Sequence, residues 1–519
     1  MPTLNWLTKK PDLKAVADTP YRLLVEGEKY GYGDPDSGNL IVHGDNLEAL
    51  KALLPFYAGQ VKCIYIDPPY NTGSAFEHYD DNMEHTLWLS MMYPRLELLK
   101  QFLREDGVLF LQLDDNEHAY AKVICDEIFG RNNLVANIVW RSSDNSNNDA
   151  KQFSLDHNYI LVYSKKTNWV TNKLPRRTTQ SSHYSNPNND PRGPWFDGNP
   201  ISSPNPRPNL CYNIITPNGK KIKPPAYGWR WSEETLRKKM ETGEIFFNND
   251  FTNIKRKTYL YEQRDVPPST LWAELEETGH NRQAKYEQKK LFPDRTKLEW
   301  FDTPKPEKLL QVILIISTNP GDLVLDSFLG SGTTVAVAHK MGRRYIGVEM
   351  GEQAKTHCAA RLKKVIDGEQ GGISEAVGWK GGGGFRFFTL GEAVFDSERR
   401  IKGDISFENL AAHIFFTETK TPMKKPKKKS AFLGIYKDTA YALLYNGILG
   451  DKSPSGGNVL THTTLNHIMN SIDAVSKKKG ENLSFNRLVI YGEATRLPHA
   501  AVKSNSIVFK QIPYEIKVW

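Results

Sequence analysis

The tetrapeptide Asp67-Pro68-Pro69-Tyr70 places a carboxylate, two prolines and an aromatic ring directly after the apolar run VKCIYI. Because each proline fixes its φ angle and lacks an N–H, the turn presents carbonyl acceptors without a competing donor. The Asp67 carboxylate and the Pro68 carbonyl could accept both hydrogens of an exocyclic amine, and the Tyr70 ring could stack on a planar base. These hydrogen bonds would aim the lone pair of the amine at an electrophile, while Asp67 stabilises the developing positive charge.

A glycine-rich turn, FLGSG, follows the predicted strand DLVLD and precedes a helix that we predict from about Thr333. Gly330 and Gly332 allow the backbone to pass close to a ligand, and the start of the helix would point free N–H groups at it. A phosphate-binding loop is not favoured, because Thr333 stands where such a loop requires lysine. Each motif also has a purely structural alternative. The glycine-rich turn could be a tight turn that closes a sheet, and the two prolines of the tetrapeptide could simply end a strand.

An acid at the end of the next predicted strand completes a pattern typical of nucleoside binding. Glu349 ends the run RRYIGVE and lies 23 residues beyond Asp326, the last residue of DLVLD. In dinucleotide-type sites, an acid about 20 residues beyond the first strand binds ribose hydroxyls. Combined with an amine-binding tetrapeptide, the spacing favours a nucleoside-containing ligand held next to a planar base.

The elements that must position these motifs are alternating strand-like and helix-like runs, from Asn39 to Trp140 and again over 303–350. This alternation predicts a mainly parallel α/β sheet, with the second block completing the sheet of the first. Both motifs then lie at carboxyl ends of parallel strands, where such sheets bind ligands. The stretch between the blocks is rich in Asn, Ser, Pro and aromatic residues and indicates long surface loops with a binding role.

Together, DPPY and FLGSG resemble the motifs of the DNA amino-methyltransferases that use S-adenosylmethionine. The tetrapeptide precedes the cofactor loop and a polar insert separates them, as in the β-class circular arrangement of that family. Further matches are GDNLEAL (44–50), the extension to DPPYNTG, LQLDDNE (111–117), GWRWSEET (228–235) and TPKPEKLL (303–310). The set is most similar to the modification subunits of type III restriction-modification systems, and it covers most of residues 39–365. The resemblance implies a Rossmann-like methyltransferase fold with circularly permuted motif order.

The resemblance also implies roles for individual residues. Asp67, Pro68, Pro69 and Tyr70 match the catalytic tetrapeptide, and Asp at its first position favours adenine over cytosine as the target. The implied cofactor-binding residues are Asp45, Asp67, Lys305, Asp326, Phe328, Gly330, Ser331, Gly332, Thr333 and Glu349. Within this set, Asp45 is expected near the cofactor's adenine, Glu349 at its ribose, and Lys305 with Pro306 at its methionine end.

The implied function is methyl transfer to the N6 amine of a flipped-out adenine at a specific sequence of double-stranded DNA, in restriction-modification or phage defence. The nearest alternative is an N4-cytosine DNA methyltransferase. An RNA or protein-glutamine methyltransferase is less favoured, because those enzymes lack so large an insert. An alternative of another class is a non-catalytic DNA-binding specificity subunit of a nuclease complex, which predicts degraded motifs, whereas both motifs are intact here. The expected partners are DNA, a second copy in a homodimer and a separate helicase or nuclease subunit.

A length of 519 residues exceeds what one core usually serves. We expect five segments, in which an inserted target-recognition domain divides the methyltransferase domain and a small α+β domain follows it. Their ranges are 1–140 (methyltransferase, first part), 141–295 (insert), 296–368 (methyltransferase, second part), 369–384 (glycine-rich linker) and 385–519 (C-terminal domain for dimer, DNA or partner contacts).

Composition limits the remaining classes. A net charge of +8 without membrane signals is compatible with a polyanion partner, and the longest apolar run, LLQVILII, is too short to span a bilayer. We therefore expect a cytoplasmic protein. Four widely separated cysteines indicate neither a zinc site nor disulfides. No metal is expected at DDNEH (114–118), and no P-loop is present, so DNA cleavage would need another polypeptide.

Basic and aromatic residues of the insert could supply charge and stacking surfaces for DNA, although each is as compatible with a solvated charge or a packed ring. They are Arg192, Trp195, Arg207, Trp229, Arg230, Trp231 and the run KRK (255–257). In the C-terminal segment, the run KKPKKK (424–429) is predicted either to contact phosphates or to form a solvated loop.

Overall fold

The computed structural model describes residues 3–512 except for the gaps named here. The gaps are 73, 76–79, 82–83, 176–182, 199, 263, 297–298, 396–404, 422, 424–429, 446–456, 480–483, 499–501 and 503–505, and the side chains of 74, 75, 80, 81, 478 and 479. The basic run at 424–429 therefore lies outside the described residues. The chain divides into two compact units, Met1–Asn172 with Ser269–Trp519, and Lys173–Pro268.

Within the described ranges, eleven strands form the central sheet of the first unit. Numbered along the whole chain, they are β1 (Arg22–Glu26), β2 (Tyr32–Gly33), β3 (Leu40–His43), β4 (Val61–Ile66), β7 (Leu103–Leu113), β8 (Leu134–Arg141), β9 (His157–Ser164), β16 (Leu271–Trp272), β17 (Leu323–Asp326), β18 (Arg344–Glu349) and β19 (Gly384–Ala393). A short hairpin of β5 (Ser74–Ala75) and β6 (Asp80–Asp81) follows β4.

The strand order is β1-β19-β3-β18-β17-β4-β7-β9-β8-β16, with β2 on β19. From β19 to β7 all neighbours are parallel. Antiparallel pairs lie towards the edges, where β1 pairs with β19 and β9 pairs with both β7 and β8. The predicted mainly parallel α/β sheet is confirmed, and the two sequence blocks do share it.

Helices cover both faces of this sheet. They are α1 (Lys9–Asp12), α2 (Ala15–Asp18), α3 (Asn46–Tyr57), α4 (His85–Phe102), α5 (His118–Phe129), α7 (Leu275–Thr278), α8 (Asn281–Leu291), α9 (Glu307–Ser317), α10 (Thr333–Lys340) and α11 (Ala360–Ile366). Leucines of α3 and α4 share one core with Ile64 and Ile346. Because side chains alternate along a strand, the residues next to Ile64 and Ile346 point to the opposite face of the sheet. On that face Tyr345 contacts His339 of α10.

The structure places residues 369–384, for which we expected a flexible linker, against the methyltransferase core. Ile373 and Ser374 are buried, and the indole of Trp379 donates to the Val365 carbonyl at 2.7 Å. The glycines serve backbone geometry, since three consecutive ones over 381–383 have positive φ. The next strand, β19, begins at the predicted domain boundary but pairs with β1 and β3 of the central sheet.

The C-terminal segment adds a smaller α+β layer to the first unit. Its four-stranded sheet has the order β20-β21-β23-β25 and mixes antiparallel and parallel pairs. The elements are α12 (Phe407–Thr419), β20 (Phe432–Tyr436), β21 (Thr439–Leu443), β22 (Val459–Leu460), α13 (His462–Lys479), β23 (Arg487–Gly492), β24 (Ala494–Thr495) and β25 (Ile507–Gln511). Phe416 of α12 enters the core around α3, which joins the two parts.

The second unit, Lys173–Pro268, spans fewer residues than the insert predicted for 141–295. The difference arises because β9 and α8 lie inside the predicted range but pack in the first unit. The second unit contains β10 (Trp195–Phe196), β11 (Ile214–Ile215), β12 (Lys221–Ile222), α6 (Glu233–Glu241), β13 (Ile245–Phe247), β14 (Ile254–Arg256) and β15 (Thr258–Tyr259). Trp229, Leu236 and Ile245 lie in its small core. In neither unit is any described helix long and apolar enough to cross a membrane.

Candidate active site

Four neighbouring parallel strands, β3, β18, β17 and β4, end at one edge of the central sheet. Each brings an acid to this edge: Asp45 follows β3, Glu349 ends β18, Asp326 ends β17 and Asp67 follows β4. The four acids line a single cavity of about 400 Å³. Adjacent strands therefore bring together residues that are up to 304 positions apart in sequence, which is where an α/β sheet binds its ligand.

The cavity contains nearly the whole set of predicted site residues. Those that line it are Asp45, Asp67, Pro68, Pro69, Tyr70, Lys305, Asp326, Phe328, Gly330, Ser331, Thr333 and Glu349. Gly332 does not line the cavity but is the N-cap of α10, with φ of 79°. The first turn of α10 thus begins at the cavity wall, as we predicted from Thr333.

A chain of hydrogen bonds fixes the tetrapeptide. The Tyr70 hydroxyl donates to Asp67 Oδ1 at 2.7 Å and accepts from the Gln112 amide at 2.9 Å. Gln112 in turn accepts from the Tyr65 hydroxyl at 2.7 Å. Burial and the nearby Asp67 charge raise the pKa of both tyrosines well above the ordinary range. Both phenols therefore remain protonated: Tyr70 donates to Asp67 directly, and Tyr65 donates to the Gln112 side chain that in turn donates to Tyr70.

The two proline carbonyls differ in availability. The Pro69 carbonyl accepts from the Trp88 indole at 2.8 Å, whereas no described residue donates to the Pro68 carbonyl, although Pro68 lines the cavity. Asn71 follows the tetrapeptide in the left-handed region, with φ of 62°, and donates to the buried Glu117 carboxylate at 2.8 Å. The turn is thus held through Pro69 and Asn71, which leaves the Pro68 carbonyl as the acceptor available to a ligand.

Lys305 reaches the tetrapeptide from 238 residues away. Its Nζ lies 2.5 Å from Asp67 Oδ2 and 5.3 Å from the centre of the Tyr70 ring. We expected this lysine at the methionine end of a cofactor; in this structure its ammonium is paired with the tetrapeptide acid. Both oxygens of Asp67 are therefore occupied, one by a phenol and one by an ammonium.

The glycine-rich turn passes close to neighbouring side chains, as its sequence predicts. Gly330 has φ of 54°, and a Cβ there would lie 2.9 Å from the Phe301 ring. A Cβ on Gly332 would lie 3.0 Å from the backbone of Cys358. The Gly330 N–H donates to Glu349 Oε2 at 2.7 Å, which ties the turn to the end of β18. Any side chain at these glycines would be strained in conformation and crowded by these neighbours.

The two acids at the ends of β17 and β18, Asp326 and Glu349, have raised pKa values. Burial raises the pKa of Glu349, while N–H groups of Gly351 and Gln353 donate to its carboxylate at 3.1 and 3.0 Å. Burial, with smaller contributions from the Asp67 and Glu349 charges, raises the pKa of Asp326 to about 7. Asp326 accepts from the Phe328 N–H and the Thr334 hydroxyl, at 2.9 and 2.6 Å. Asp326 thus holds the turn with both oxygens.

Both carboxylate oxygens of Asp45 also have partners. It caps α3 by accepting from the N–H groups of Leu47 and Glu48, at 2.8 and 3.2 Å, and its other oxygen pairs with Arg95 at 2.8 Å. Arg95 also donates to Asn46, which donates to the Ser327 carbonyl at 2.7 Å. Asp45 therefore reaches the cavity as part of a network that joins β3 to β17.

Sequence reasoning missed Arg95 and several other residues of the cavity wall. Arg95 does carry a signal, because it is a lone cation within the apolar helix run WLSMMYPRLELL, and a charge in such a run usually has a buried partner. The other missed residues that line the cavity are Asn46, Tyr65, Thr72, Met91, Phe301, Thr303, Ser327, Leu329, Thr334, Met350, Gly351 and Gln353.

The acidic run at 114–118 follows β7, beside the tetrapeptide. Asp114 accepts from the backbone and side chain of Asn116, Glu117 accepts from Asn71 and His85, and His118 pairs with Asn137. Over the described ranges, no cluster of three or more His, Cys, Asp or Glu side chains has the arrangement of a metal site.

In the insert unit, several of the basic residues singled out from the sequence are paired with acids, among them Lys255 with Asp197 and Arg256 with Glu244. Asp190 binds both Arg192 and Lys257, at 2.9 and 2.7 Å, which satisfies these cations internally. The guanidinium groups of Arg207 and Arg230 are exposed and have no ion-pair partner in the described part of the chain. Arg207 and Arg230 are therefore better candidates for contacts with an external anion than the paired cations.

Residues 61–360, more than half of the 519 in the chain, match the family model N6_N4_Mtase, described as DNA methylase. The match contains the tetrapeptide, the whole insert unit, the glycine-rich turn and Glu349. Asp45 lies before it, and the C-terminal layer from α12 to β25 lies after it.

Two curated relatives are Mod subunits. The chain is 33% identical over 429 residues to the HindVI Mod subunit of Haemophilus influenzae, covering 70% of this chain and 55% of the relative. It is 32% identical over 351 residues to the StyLTI Mod subunit of Salmonella typhimurium, a type III restriction-modification enzyme, covering 62% and 51%. The chain thus spans about half the length of these relatives.

Among solved structures, PvuII DNA methyltransferase, which is cytosine-N4-specific, aligns at 16% identity with a TM-score of 0.35. The alignment covers 66% of this chain and 90% of that one. A likeness this distant indicates no substrate.

Proposed function

Because the chain belongs to the DNA methylase family N6_N4_Mtase, we propose that it transfers a methyl group from S-adenosylmethionine to the N6 amine of adenine in double-stranded DNA. The observation that carries the proposal is the acceptor pair of the tetrapeptide. Asp67 and Pro68, whose carbonyl accepts from no described residue, line one cavity with Tyr70 and the glycine-rich turn. An amine with two hydrogens on a planar ring matches these acceptors and this ring face.

The residues of the cavity fit the cofactor. The bare Gly330 leaves free a space beside Phe301 that a Cβ would fill, and the Glu349 carboxylate can accept from ribose hydroxyls. Phe328, Ser331 and the start of α10 would hold the remainder. When bound, S-adenosylmethionine supplies an electrophilic methyl group next to the tetrapeptide.

In this mechanism the protein positions the amine and stabilises charge. Asp67 and the Pro68 carbonyl accept one hydrogen each, which turns the nitrogen lone pair out of conjugation and towards the methyl carbon. Positive charge would grow on the nitrogen as it bonds to the methyl carbon and the carbon–sulfur bond breaks, and the Asp67 carboxylate would stabilise that charge until the nitrogen releases a proton to solvent. Tyr70 holds the carboxylate through its hydroxyl and offers its face to the base. Because a target amine inside a duplex is out of reach, the base must be flipped into the cavity.

We assign adenine as the base and restriction-modification as the setting. Asp at the first position of the tetrapeptide favours adenine, and the Mod relatives support the setting. DNA is the proposed partner of the insert unit, and a restriction subunit and a second copy of the chain are the proposed protein partners in the bacterial cytoplasm. An N4-cytosine methyltransferase uses the same amine-binding geometry, so the test below separates the two bases.

The test is methylation in vitro. The purified protein is incubated with unmethylated genomic DNA and methyl-labelled S-adenosylmethionine, and the DNA is digested to nucleosides for mass spectrometry. We expect label in N6-methyladenine, and a loss of at least about 100-fold in Asp67→Asn, the scale for removing one charge-stabilising group. Asp106→Asn is the control, since Asp106 pairs with Lys62 outside the cavity. Label in N4-methylcytosine would show that the target base is cytosine and not adenine. No label with the wild-type protein would contradict the methyltransferase activity.

A further inference from the structure

Lys305 occupies the position that the proposed target amine requires. Of the two Asp67 oxygens, Oδ1 accepts the Tyr70 hydroxyl at 2.7 Å. Oδ2 is the oxygen left for a ligand, and the Lys305 ammonium lies 2.5 Å from it. The same ammonium lies 5.3 Å from the centre of the Tyr70 ring, on which a base would stack. A lysine N–H thus makes the contact that an adenine N–H would make.

The pair is largely withdrawn from water. The Lys305 side chain is 9% exposed and the Asp67 side chain 18% exposed. The two charges stabilise each other, and removing one partner of a buried ion pair leaves the other charge uncompensated. A base that enters must therefore provide Asp67 with donors in exchange for those of Lys305.

The Lys305 backbone is fixed on both sides, so the exchange must be a movement of its side chain. Pro304 and Pro306 flank it, and Pro306 has φ of −69°. Glu307, the first residue of α9, is buried and binds Lys340 and Arg361, at 2.8 and 2.7 Å. A flexible lysine stem can withdraw its ammonium from Asp67 without moving this anchored backbone.

We propose that Lys305 is a placeholder for the target amine, holding the Asp67 carboxylate in the absence of DNA and being displaced by the base during flipping. This inference rests on the function proposed above. It predicts that the wild-type enzyme gains little binding affinity from the adenine amine, because one N–H donor replaces another. Without Lys305, the amine would fill an otherwise unpaired acceptor and would contribute strongly to affinity.

The test compares two duplexes that carry either adenine or purine, which is adenine without its amine, at the methylated position. Their dissociation constants are measured by fluorescence anisotropy with S-adenosylhomocysteine present, for wild type and Lys305→Met. We expect the preference for adenine to be about tenfold greater in Lys305→Met, the scale of one hydrogen bond to a charged group. Purine pairs more weakly with thymine, but this affects both proteins equally and cancels in the comparison. Lys62→Met is the matched control, since Lys62 pairs with Asp106 away from the cavity.

Equal preferences in wild type and Lys305→Met would overturn the placeholder. Weaker S-adenosylhomocysteine binding with equal preferences would also overturn it and make Lys305 a cofactor contact only. If Lys305→Met does not fold, Lys305→Gln, which keeps a neutral donor, should shift the preference in the same direction by a smaller factor. Wild-type methylation of the adenine duplex is measured in parallel. Methylation with equal preferences rejects this inference alone, whereas no methylation rejects the proposed function as well.

Discussion

Tyr70 has two separable contributions at the residue scale, its ring face and its hydroxyl. Tyr70→Phe keeps the ring but removes the donor to Asp67, so we expect kcat to fall about tenfold with little change in KM for DNA. Tyr70→Ala also removes the stacking surface, which should raise KM by about tenfold or more. Steady-state kinetics on a duplex with one target site measures both constants. Exposed Tyr286→Phe is the control, and an equal effect of Phe and Ala on KM would contradict the stacking role.

The sequence predicted which residues gather at the site better than it predicted their contacts. Asp67, Pro68 and Tyr70 are consecutive, so their chemistry follows from local geometry. The ion pair of Lys305 with Asp67 depends on how α9 approaches β4 across 238 positions, and no local pattern encodes that approach. For the same reason Arg95 was missed, because its partner Asp45 lies on another element.

At the scale of elements, the turn between β17 and α10 should respond to pH through Asp326. Because burial raises its pKa to about 7, the folded protein binds this proton more tightly than the unfolded chain does. The free energy of unfolding should therefore fall as pH rises from about 4 to 7. Asp326→Asn keeps the oxygen that accepts from the Phe328 N–H and places an amide N–H beside the Thr334 hydroxyl, which can rotate to accept it. Because the amide does not titrate, we expect the variant to flatten this fall.

Thermal unfolding of wild type and Asp326→Asn between pH 5 and 8 measures the effect. The melting temperature of the variant relative to wild type should rise with pH. Asp322→Asn, just before the same strand, is the control, since Asp322 is partly exposed and pairs with Arg104. Parallel curves for wild type and Asp326→Asn would show that Asp326 has no raised pKa.

The insert unit offers a prediction about DNA affinity. Arg207 and Arg230 are exposed and have no ion-pair partner among the described residues, so we expect them to contact phosphates. The double variant Arg207→Ala with Arg230→Ala should therefore weaken DNA binding irrespective of sequence. The slope of log affinity against log salt concentration is negative, and its magnitude should fall by about 0.9 for each lost phosphate contact. Arg237→Ala is the matched control, because Arg237 is exposed but pairs with Glu233 at 2.8 Å. An unchanged slope in the double variant would exclude both arginines from the interface.

Prediction of elements succeeded where periodicity was strong. The run DLVLD and the helix predicted from Thr333 correspond to β17 and α10 almost to the residue. It failed at β9, which lies in a polar region yet enters the central sheet by antiparallel pairing with β7 and β8. Such pairing is decided by long-range contacts, which composition does not reveal.

At the scale of the whole molecule, the insert unit should be removable. Its entry and exit are adjacent, since the Leu174 and Val266 backbones exchange hydrogen bonds of 2.8 and 2.9 Å. Replacing residues 175–265 with a loop of about four residues, a length that closes an antiparallel pair, should leave the first unit folded. We expect S-adenosylmethionine binding, measured by calorimetry, to persist and site-specific methylation to be lost. Methylation of the same sequence by the shortened protein would exclude the insert from target recognition.

The domain plan was harder to predict than the fold class. Glycine content suggested a linker over 369–384, but these residues pack on α11, and the following β19 completes the central sheet between β1 and β3. The apolar run GFRFFTLGEA is strand-like in sequence, yet nothing local tells which sheet it joins. Strand pairing between distant parts of the sequence therefore decides the domain boundaries. In the same way, a contact between distant residues decides that Lys305 pairs with Asp67.

The central claim is that the protein methylates adenine by means of the tetrapeptide Asp67–Tyr70. Mapping of the modified bases in a genome tests it most directly. The chain is expressed in a host that lacks DNA methylation, and modified bases are located by single-molecule sequencing, with Asp67→Ala in parallel. We predict N6-methyladenine within one sequence motif in the wild-type strain and none in the Asp67→Ala strain. N4-methylcytosine in wild type, or N6-methyladenine that persists in Asp67→Ala, would contradict the account.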